Sequence, residues 1–517
     1  MKSRREYIVL SSLLLYLAAL LPLEVAGETY HIDSADGDDL AAGTSIDTAW
    51  RSLKKVNATT FAPGDRILFK AGGAWSGQLH PQGSGRPGKP IIIDRYGEGP
   101  RPIIAGEGTA DLPGRSTIYL YNQEYFEIGS LEITNYLEGD NNIKRGVYAL
   151  AENYGEVHRI HLRNLFVHDV NGSLKTKYNG GIFLEVVGSS KKTWFDDVLI
   201  EGCHVRDVDR TGISNQSEWR FRSLEDDGNW VPNKHFVIRN NIVERAGQNG
   251  LILRCTESPL IEHNLFKDNG GKGTGNAMFT YNCNDALVQF NESYGTLFAP
   301  GEIDGAGFDS DYQCKNSVFQ YNYSHDNDHG FILVCCQGRP TDFNDGTVVR
   351  YNISQNDGGN VFRISGKVTN TSIYNNVIFQ GPEMDARLIW HKEWDDVWPD
   401  ATAYFNNIIY NLGSGGYDFG TSKNNRFENN IFYGNHPASE PKDPHKLTSD
   451  PLFVAPGEGK VGRASLEGYK LKQGSPAIDS GRKISDMPPV DFWGNPIHRS
   501  GVPDRGAFEN EIAPKNR

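Results

Sequence analysis

The sequence repeats one short phrase: Ile261-Glu-His-Asn-Leu-Phe266, Val288-Gln-Phe-Asn-Glu-Ser293, Phe319-Gln-Tyr-Asn-Tyr-Ser324 and Val349-Arg-Tyr-Asn-Ile-Ser354. Its asparagines, at 264, 291, 322 and 352, are spaced by 27, 31 and 30 residues. Weaker copies follow at Ile373–Ile378, Tyr404–Ile409 and Phe427–Phe432. A period of this length, one Asn per repeat and β-rich flanks predict a stacked β-solenoid. Such a fold presents one long face along its axis, suited to an extended polymer.

A solenoid grows by adding coils, so the 517 residues need no division into separate cores. Residues 1–27 read as a secretory signal. Lys2, Arg4 and Arg5 precede the apolar stretch Tyr7–Leu21, and Val25-Ala-Gly27 offers a cleavage site. That stretch is short for a membrane span and nothing later reaches span length. The expectation is an exported, monomeric protein, secreted or periplasmic, with no membrane attachment after cleavage. The net charge of −13 argues against nucleic acid as partner, while leaving room for a locally basic groove. The six cysteines allow disulfides in an exported chain. Yet Cys255, Cys283, Cys314 and Cys335 fall once per coil, as stacked interior side chains would. Their spacing with histidines gives no zinc site.

Along the chain, residues 28–110 read as an N-terminal cap, with a strand at Thr29–Ile32, a short helix near Ala49–Val56 and strands at Arg66–Lys70 and Pro90–Asp94. The acidic turn Asp36-Gly-Asp38 is ordinary turn chemistry, with calcium as the alternative. Residues 111–447 form the coils, each expected to carry two strands separated by Gly, Asn and Asp turns. The second strand of each coil gives a working face: Gly181–Val186, Gly212–Ser217, Gly250–Cys255, Asn276–Cys283, Gly307–Gln313, Gly330–Cys336, Asn360–Ser365 and Ala386–Glu393. Insertions at Trp219–Lys234, Gly271–Gly275, Thr296–Asp304, Gln337–Asp345 and Trp390–Asp400 would wall that face. Residues 448–517, rich in Pro and Gly, form a C-terminal capping segment.

The N-terminal motifs Gly43-Thr44, Ala49-Trp50, Pro63-Gly-Asp65, Phe69-Lys70 and Tyr96-Gly97, the Asn-bearing coils, and the closing Ser475-Pro-Ala-Ile-Asp479 and Gly506-Ala-Phe-Glu509 together resemble secreted right-handed parallel β-helix proteins of the pectate-lyase-like superfamily. The resemblance covers nearly the whole mature chain. It implies an all-β, right-handed parallel β-helix and a carbohydrate-active role, in a superfamily of lyases, hydrolases, epimerases and adhesins.

Alternation on Gly307–Gln313 points Phe308 and Ser310 inward and Asp309 and Asp311 outward. Glu302 and Asp304 lie just before them. Neighbouring coils would add Arg254 and Tyr281 on one side and Arg363 and His391 on the other, with Glu185 and Gln216 further toward the N-terminal end. Two carboxylates two positions apart on a strand have Cα atoms about 6.5 Å apart. An inverting glycosidase needs its carboxyls roughly 6.5–9.5 Å apart. Asp309 and Asp311 are therefore the expected acid and base, assisted by Asp304, with mutual repulsion keeping one carboxyl protonated. Arg254, Tyr281, Arg363, His391, Glu302 and His325 are the expected substrate-binding residues, although His325 also fits a plain turn role. The pattern resembles the Asp-rich strand of polygalacturonase-type hydrolases, departing from it in lacking an Asp-Asp pair there and a following Gly-His-Gly; Asp328-His-Gly330 is nearest.

Glycoside hydrolysis of an extended polysaccharide, with no cofactor, is the leading expectation. The enzyme alternative is a uronate lyase in which calcium sits on Asp304, Asp309 and Asp311, with Arg254, Lys392, His391 or Tyr281 as base. The non-enzymatic alternative is a glycan-binding or adhesion module; irregular coils, loop insertions and the lack of an anchoring tail favour an enzyme. The sequons at Asn291, Asn322 and Asn352 read as stacked Asn residues bonded to turns rather than glycosylation sites, because they recur at one coil position.

Overall fold

The computed structural model describes residues 27–108, 112–299, 301, 303–497 and 501–510. The signal-like segment, apart from Gly27, lies outside these residues, as does Glu302. Among the described residues no helix is long and apolar enough to cross a membrane.

Each coil turns three corners and lays one strand in each of three parallel sheets, one more strand per coil than the sequence suggests. The first sheet runs from Thr29–Ile32 to Arg426–Glu428, the second from Ala74–Ser76 to Ile431–Gly434, and the third from Ser116–Tyr121 to Tyr417–Asp418. The recurrent Asn phrase explains the miscount. It spans a corner: Leu260–Glu262 ends in the first sheet, Leu265–Lys267 begins in the second, and Asn264 sits between them. Strands of three residues are too short to show alternation of their own.

The corner is held by a ladder of buried asparagines. Asn241, Asn264, Asn291, Asn322, Asn352, Asn376 and Asn407 each donate from Nδ2 to the Oδ1 of the next, which for Asn407 is Asn430, and Asn430 closes the series by donating to Asp443 Oδ2. Each Oδ1 also accepts the backbone N–H of the preceding rung, as Asn322 does for Asn291 at 3.0 Å. The residue before each rung is left-handed, including Phe290 at φ 55°, Tyr321 at 57° and Tyr351 at 51°. A bulky side chain disfavours that conformation, so the ladder's bonds stabilise an otherwise costly bend. The sequon asparagines 291, 322 and 352 are fully buried rungs.

Inside the cylinder, columns of aliphatic and aromatic side chains stack from Ile32 to Phe432. Each fully buried Ile, Leu or Phe contributes about 1.5–3 kcal/mol. The N-terminal strand Thr29–Ile32 pairs with Arg66–Lys70, which pairs with Ile91–Tyr96, so this segment heads the first sheet directly. Its α-helix is Leu53–Asn57, capped by Ser52, after a 3-10 turn at Ile46–Thr48. In the acidic turn, Lys70 Nζ meets Asp33 at 2.5 Å and Asp36 at 3.5 Å.

The segment after residue 447 folds back over the corner between the first and second sheets. Phe453, Leu466, Tyr469 and Phe492 pack on Tyr321, Tyr323, Tyr351 and Tyr374. Tyr469 Oη donates to Gln355 at 2.7 Å.

All six cysteines are free and buried. Cys283 and Cys314 lie in the core as expected, but the column breaks at both ends. Cys255 lies at a left-handed residue, with Sγ 3.3 Å from the Trp219 carbonyl. Cys335 points outward to Asp311, leaving Cys336 to fill the core.

Candidate active site

The working-face strands all lie in the third sheet, and its pairing fixes what stands beside what. Ile252, Phe279, Asp309, Leu333, Arg363 and Trp390 form one outward column. Arg254 pairs with Tyr281 in the next column. Asp311 follows, its N–H bonded to the Thr280 carbonyl at 2.9 Å. Phe308 and Ser310 are fully buried inward, so the alternation over this strand is as the sequence predicts.

Asp309 and Asp311 face the same way yet have different surroundings. Asp309 is only 3% exposed. Asn276 donates Nδ2 to its Oδ2 at 2.8 Å, and the amide cannot turn away because Asn276 Oδ1 accepts from Gly305 and Ala306, both at 3.0 Å. Arg363 holds the same covering segment through a 2.7 Å bond to the Ile303 carbonyl. Burial, with Asp311 and then Asp304 adding like charge, pushes the Asp309 carboxyl well above the usual carboxylate range.

Asp311 is half-buried and reaches the open groove. Its Oδ1 accepts from the Tyr312 N–H at 2.8 Å and lies 3.3 Å from Cys335 Sγ. Burial raises its pKa to about 6; Lys177 opposes the rise and Asp304 adds to it. Asp304, also half-buried, accepts a hydrogen bond from Thr274 Oγ1 at 2.8 Å. Three acidic groups thus occupy one region in three distinct environments.

The groove beside Asp311 has a volume of about 470 Å³ and is lined by Lys177, Tyr178, Gln216, Arg220, Arg254, Phe279, Tyr281, Tyr312 and Gln337, among others. Arg254 is 7% exposed and donates to the Asn215 carbonyl at 2.7 Å, while Asn215 clamps its backbone from both sides. Burial lowers its pKa to about 10. Burial and the nearby Asp311 raise Tyr281 to about 12.

Two of the expected binding residues lie elsewhere. His391 is fully buried inside the cylinder, bonded to Ser422 at 2.8 Å and Tyr404 at 2.9 Å, and burial drives its pKa down to about 3. Its strand starts one residue later than the alternation over Ala386–Glu393 implies: Asn360 pairs with Arg387 and Ile364 with His391, so His391 faces inward and Trp390 takes the outward place. His325 sits in the second sheet between Glu292 at 3.1 Å and Asp326 at 2.8 Å, beneath the C-terminal segment. It serves as a turn anchor, remote from the third-sheet groove.

Sequence reasoning passed over Lys177, Arg220, Asn276, Phe279, Tyr312 and Gln337. Arg220 and Gln337 belong to insertions expected to form walls. Lys177 lies in an unremarked connection between two coils, and its position over the groove depends on a loop path that no periodicity encodes. Phe279 was legible as the outward neighbour of Asp309 once pairing is known.

Among the described residues, the carboxylate and histidine group whose ligand atoms fall within 4.8 Å of one another is Glu156, His158 and Asp196, on the first sheet rather than the groove.

A family model described as a right-handed beta helix region matches residues 181–378. A lacto-N-biosidase from Bifidobacterium longum subsp. longum is 29% identical over 94% of this chain, which spans 36% of that protein's length. The crystal structure of a GH136 lacto-N-biosidase from Eubacterium ramulus superposes with a TM-score of 0.58 at 24% identity, covering 77% of this chain and 68% of that one. A PL6-family alginate lyase, AlyGC, gives a TM-score of 0.50 at 13% identity, covering 85% and 59%. Its three parallel sheets and these likenesses make the chain a right-handed parallel β-helix protein.

Proposed function

We propose that this chain is an exported glycoside hydrolase that cuts a glycan lying along the third-sheet groove, with no cofactor. Asp311 is the general acid and Asp304 its partner carboxylate. The observation that carries this reading is the contrast between the two half-buried carboxyls. Asp311, at the groove, holds its proton to about pH 6, whereas Asp304 is positioned as a hydrogen-bond acceptor. A carboxyl that keeps its proton toward neutral pH, with a second carboxyl in the same cleft, is the machinery of glycosidic cleavage. Asp309 is too deeply buried to touch substrate; bonded to Asn276, it fixes the strand from which Asp311 projects. The likeness to a lacto-N-biosidase supports the reaction class.

In the proposed reaction, Asp311 gives its proton to the glycosidic oxygen as the bond to the anomeric carbon lengthens. Asp304 stabilises the positive charge on that carbon, or activates the water that attacks it. Proton donation of this kind is worth about 10²–10⁴-fold in rate.

The test is incubation with a panel of neutral, uronic and sulfated oligosaccharides, scoring new reducing ends. Release by the wild type, lost in Asp311→Asn and Asp304→Asn while both variants stay folded, supports the reading. Release that survives both substitutions rejects it. Products carrying an unsaturated uronate would transfer the chain to the lyase class.

A further inference from the structure

The groove carries more positive charge than its own residues neutralise. Lys175, Lys177, Arg220 and Arg254 line it. Arg210 precedes the strand Thr211–Ser217, and its charged neighbours include Arg254, Lys177 and Asp304. None of these five cations lies within 4 Å of a described carboxylate, although salt bridges are frequent on the first and second sheets of the same molecule.

Arg210 is the most telling of them. It is 5% exposed, and its Nε and Nη1 are buried without a hydrogen-bond partner. A guanidinium taken out of water and left unbonded is costly. Beside it stands a second buried arginine, Arg254, whose like charge depresses Arg210 further after burial itself. Lys177 brings a third charge, its Nζ 4.8 Å from the Phe279 ring centroid, and its pKa too is lowered by burial and by Arg254. Cations that repel one another beside one cleft, with two donors of the buried Arg210 left unbonded, are an unfilled site for an oxyanion.

We propose that Lys177, Arg210 and Arg254 form a subsite for an anionic substituent of the sugar, a carboxylate or a sulfate ester, seated next to Asp311. The inference rests on the groove being the glycan site. Its chemistry is complementary: a planar carboxylate or a sulfate supplies the acceptors that Arg210 lacks, and Lys177 adds charge without fixed geometry. Phe279 and Tyr281 flank the position with apolar surface on which a sugar ring can lie. An acidic glycan also accounts for a basic groove in a chain of net charge −13, since the local field, not the total, recruits the ligand.

The experiment measures binding by calorimetry to matched oligosaccharides that differ only in a neutral, carboxylated or sulfated substituent. It uses the full chain, Arg210→Met and Lys177→Met. At least one acidic member should bind about tenfold more tightly than its neutral parent. That preference should shrink in both variants and in high salt. Arg210→Met should melt no lower than the wild type, because it removes an unsatisfied buried charge; should it fail to fold, Lys177→Met alone decides. The carboxylated and sulfated arms distinguish the two anions. Equal affinity for neutral and acidic members, preference unchanged in the variants, or no acidic glycan bound at all would overturn the subsite. Acidic glycans bound without cleavage would instead overturn the hydrolase reading and leave the subsite standing, whereas cleavage confined to neutral glycans would do the reverse.

Discussion

At the scale of single residues, carboxyls of one type sit in different surroundings: Asp309 is buried against Asn276, while Asp311 reaches the groove. In the proposed reaction Asp311 acts in its protonated form, so kcat/KM is expected to be high below about pH 6 and to fall as pH rises through that value. Lys177 favours the ionised form of Asp311, so Lys177→Met should move this alkaline limb to higher pH; a pH–rate profile checks both the position and the direction. His325 provides a stability counterpart. Burial pulls its pKa down, but hydrogen bonds to Asp326 and Glu292 outweigh it and raise it to about 9. A histidine raised in the folded state contributes stability fully below its unfolded pKa, near 6.5. That contribution is lost as pH rises through about 9. Urea unfolding of the wild type should therefore weaken between pH 6.5 and 9 by more than that of His325→Gln. Residue identity alone could not separate these histidines and carboxylates. Asp309 and Asp311 look equivalent on the strand, and only the segment through Gly305 and Ala306, pinned by Asn276, buries one of them.

At the scale of elements, pairing between coils carries both the fold and its misreadings. Phe308 and Ser310 inward with Asp309 and Asp311 outward followed from a period of two, because the opposite register would turn two carboxylates into the apolar core. His391 did not, because Ala386 precedes its strand instead of starting it, and a one-residue slip exchanges the two faces. The Asn phrase was legible as a repeat but not as a corner, since its flanking strands are too short to announce themselves. That corner makes a strong prediction. Asn322 donates to Asn352 and to the Val288 carbonyl and accepts twice from Asn291. Asn322→Ala should therefore cost about 2–4 kcal/mol, from several buried groups each left unbonded at about 1–3 kcal/mol. Equilibrium denaturation measures it; a loss under about 0.5 kcal/mol, within the range of surface substitutions, would mean that the ladder is not what holds the bend.

At the scale of the whole molecule, the chain is one stack with a long groove on one side and a packed C-terminal segment on another. Repetition made the solenoid readable, since a coil cannot bury its faces without a neighbour. The path of the C-terminal segment was not readable, because it follows no period and is guided by surface aromatics such as Tyr321 and Tyr351 that also suit a core. Removing residues 448–517 would uncover Tyr321, Tyr323, Tyr351 and Tyr374 together. A chain ending at residue 447 is expected to melt lower and to self-associate, as light scattering during a thermal ramp would record. The groove similarly joins distant parts: Lys177, Arg254, Asp311 and Gln337 come from four different coils. No window of the sequence contains that set, which is why its acidic strand and Arg254 were visible while Lys177 was not.

The most direct test of the central claim is to run the reaction in water enriched in heavy oxygen and weigh the products. Hydrolysis driven by Asp311 predicts one heavy oxygen at each new anomeric carbon, with formation of that product lost in Asp311→Asn. An unlabelled product, lighter by the elements of water, or labelled product formed equally well by Asp311→Asn, would contradict the account.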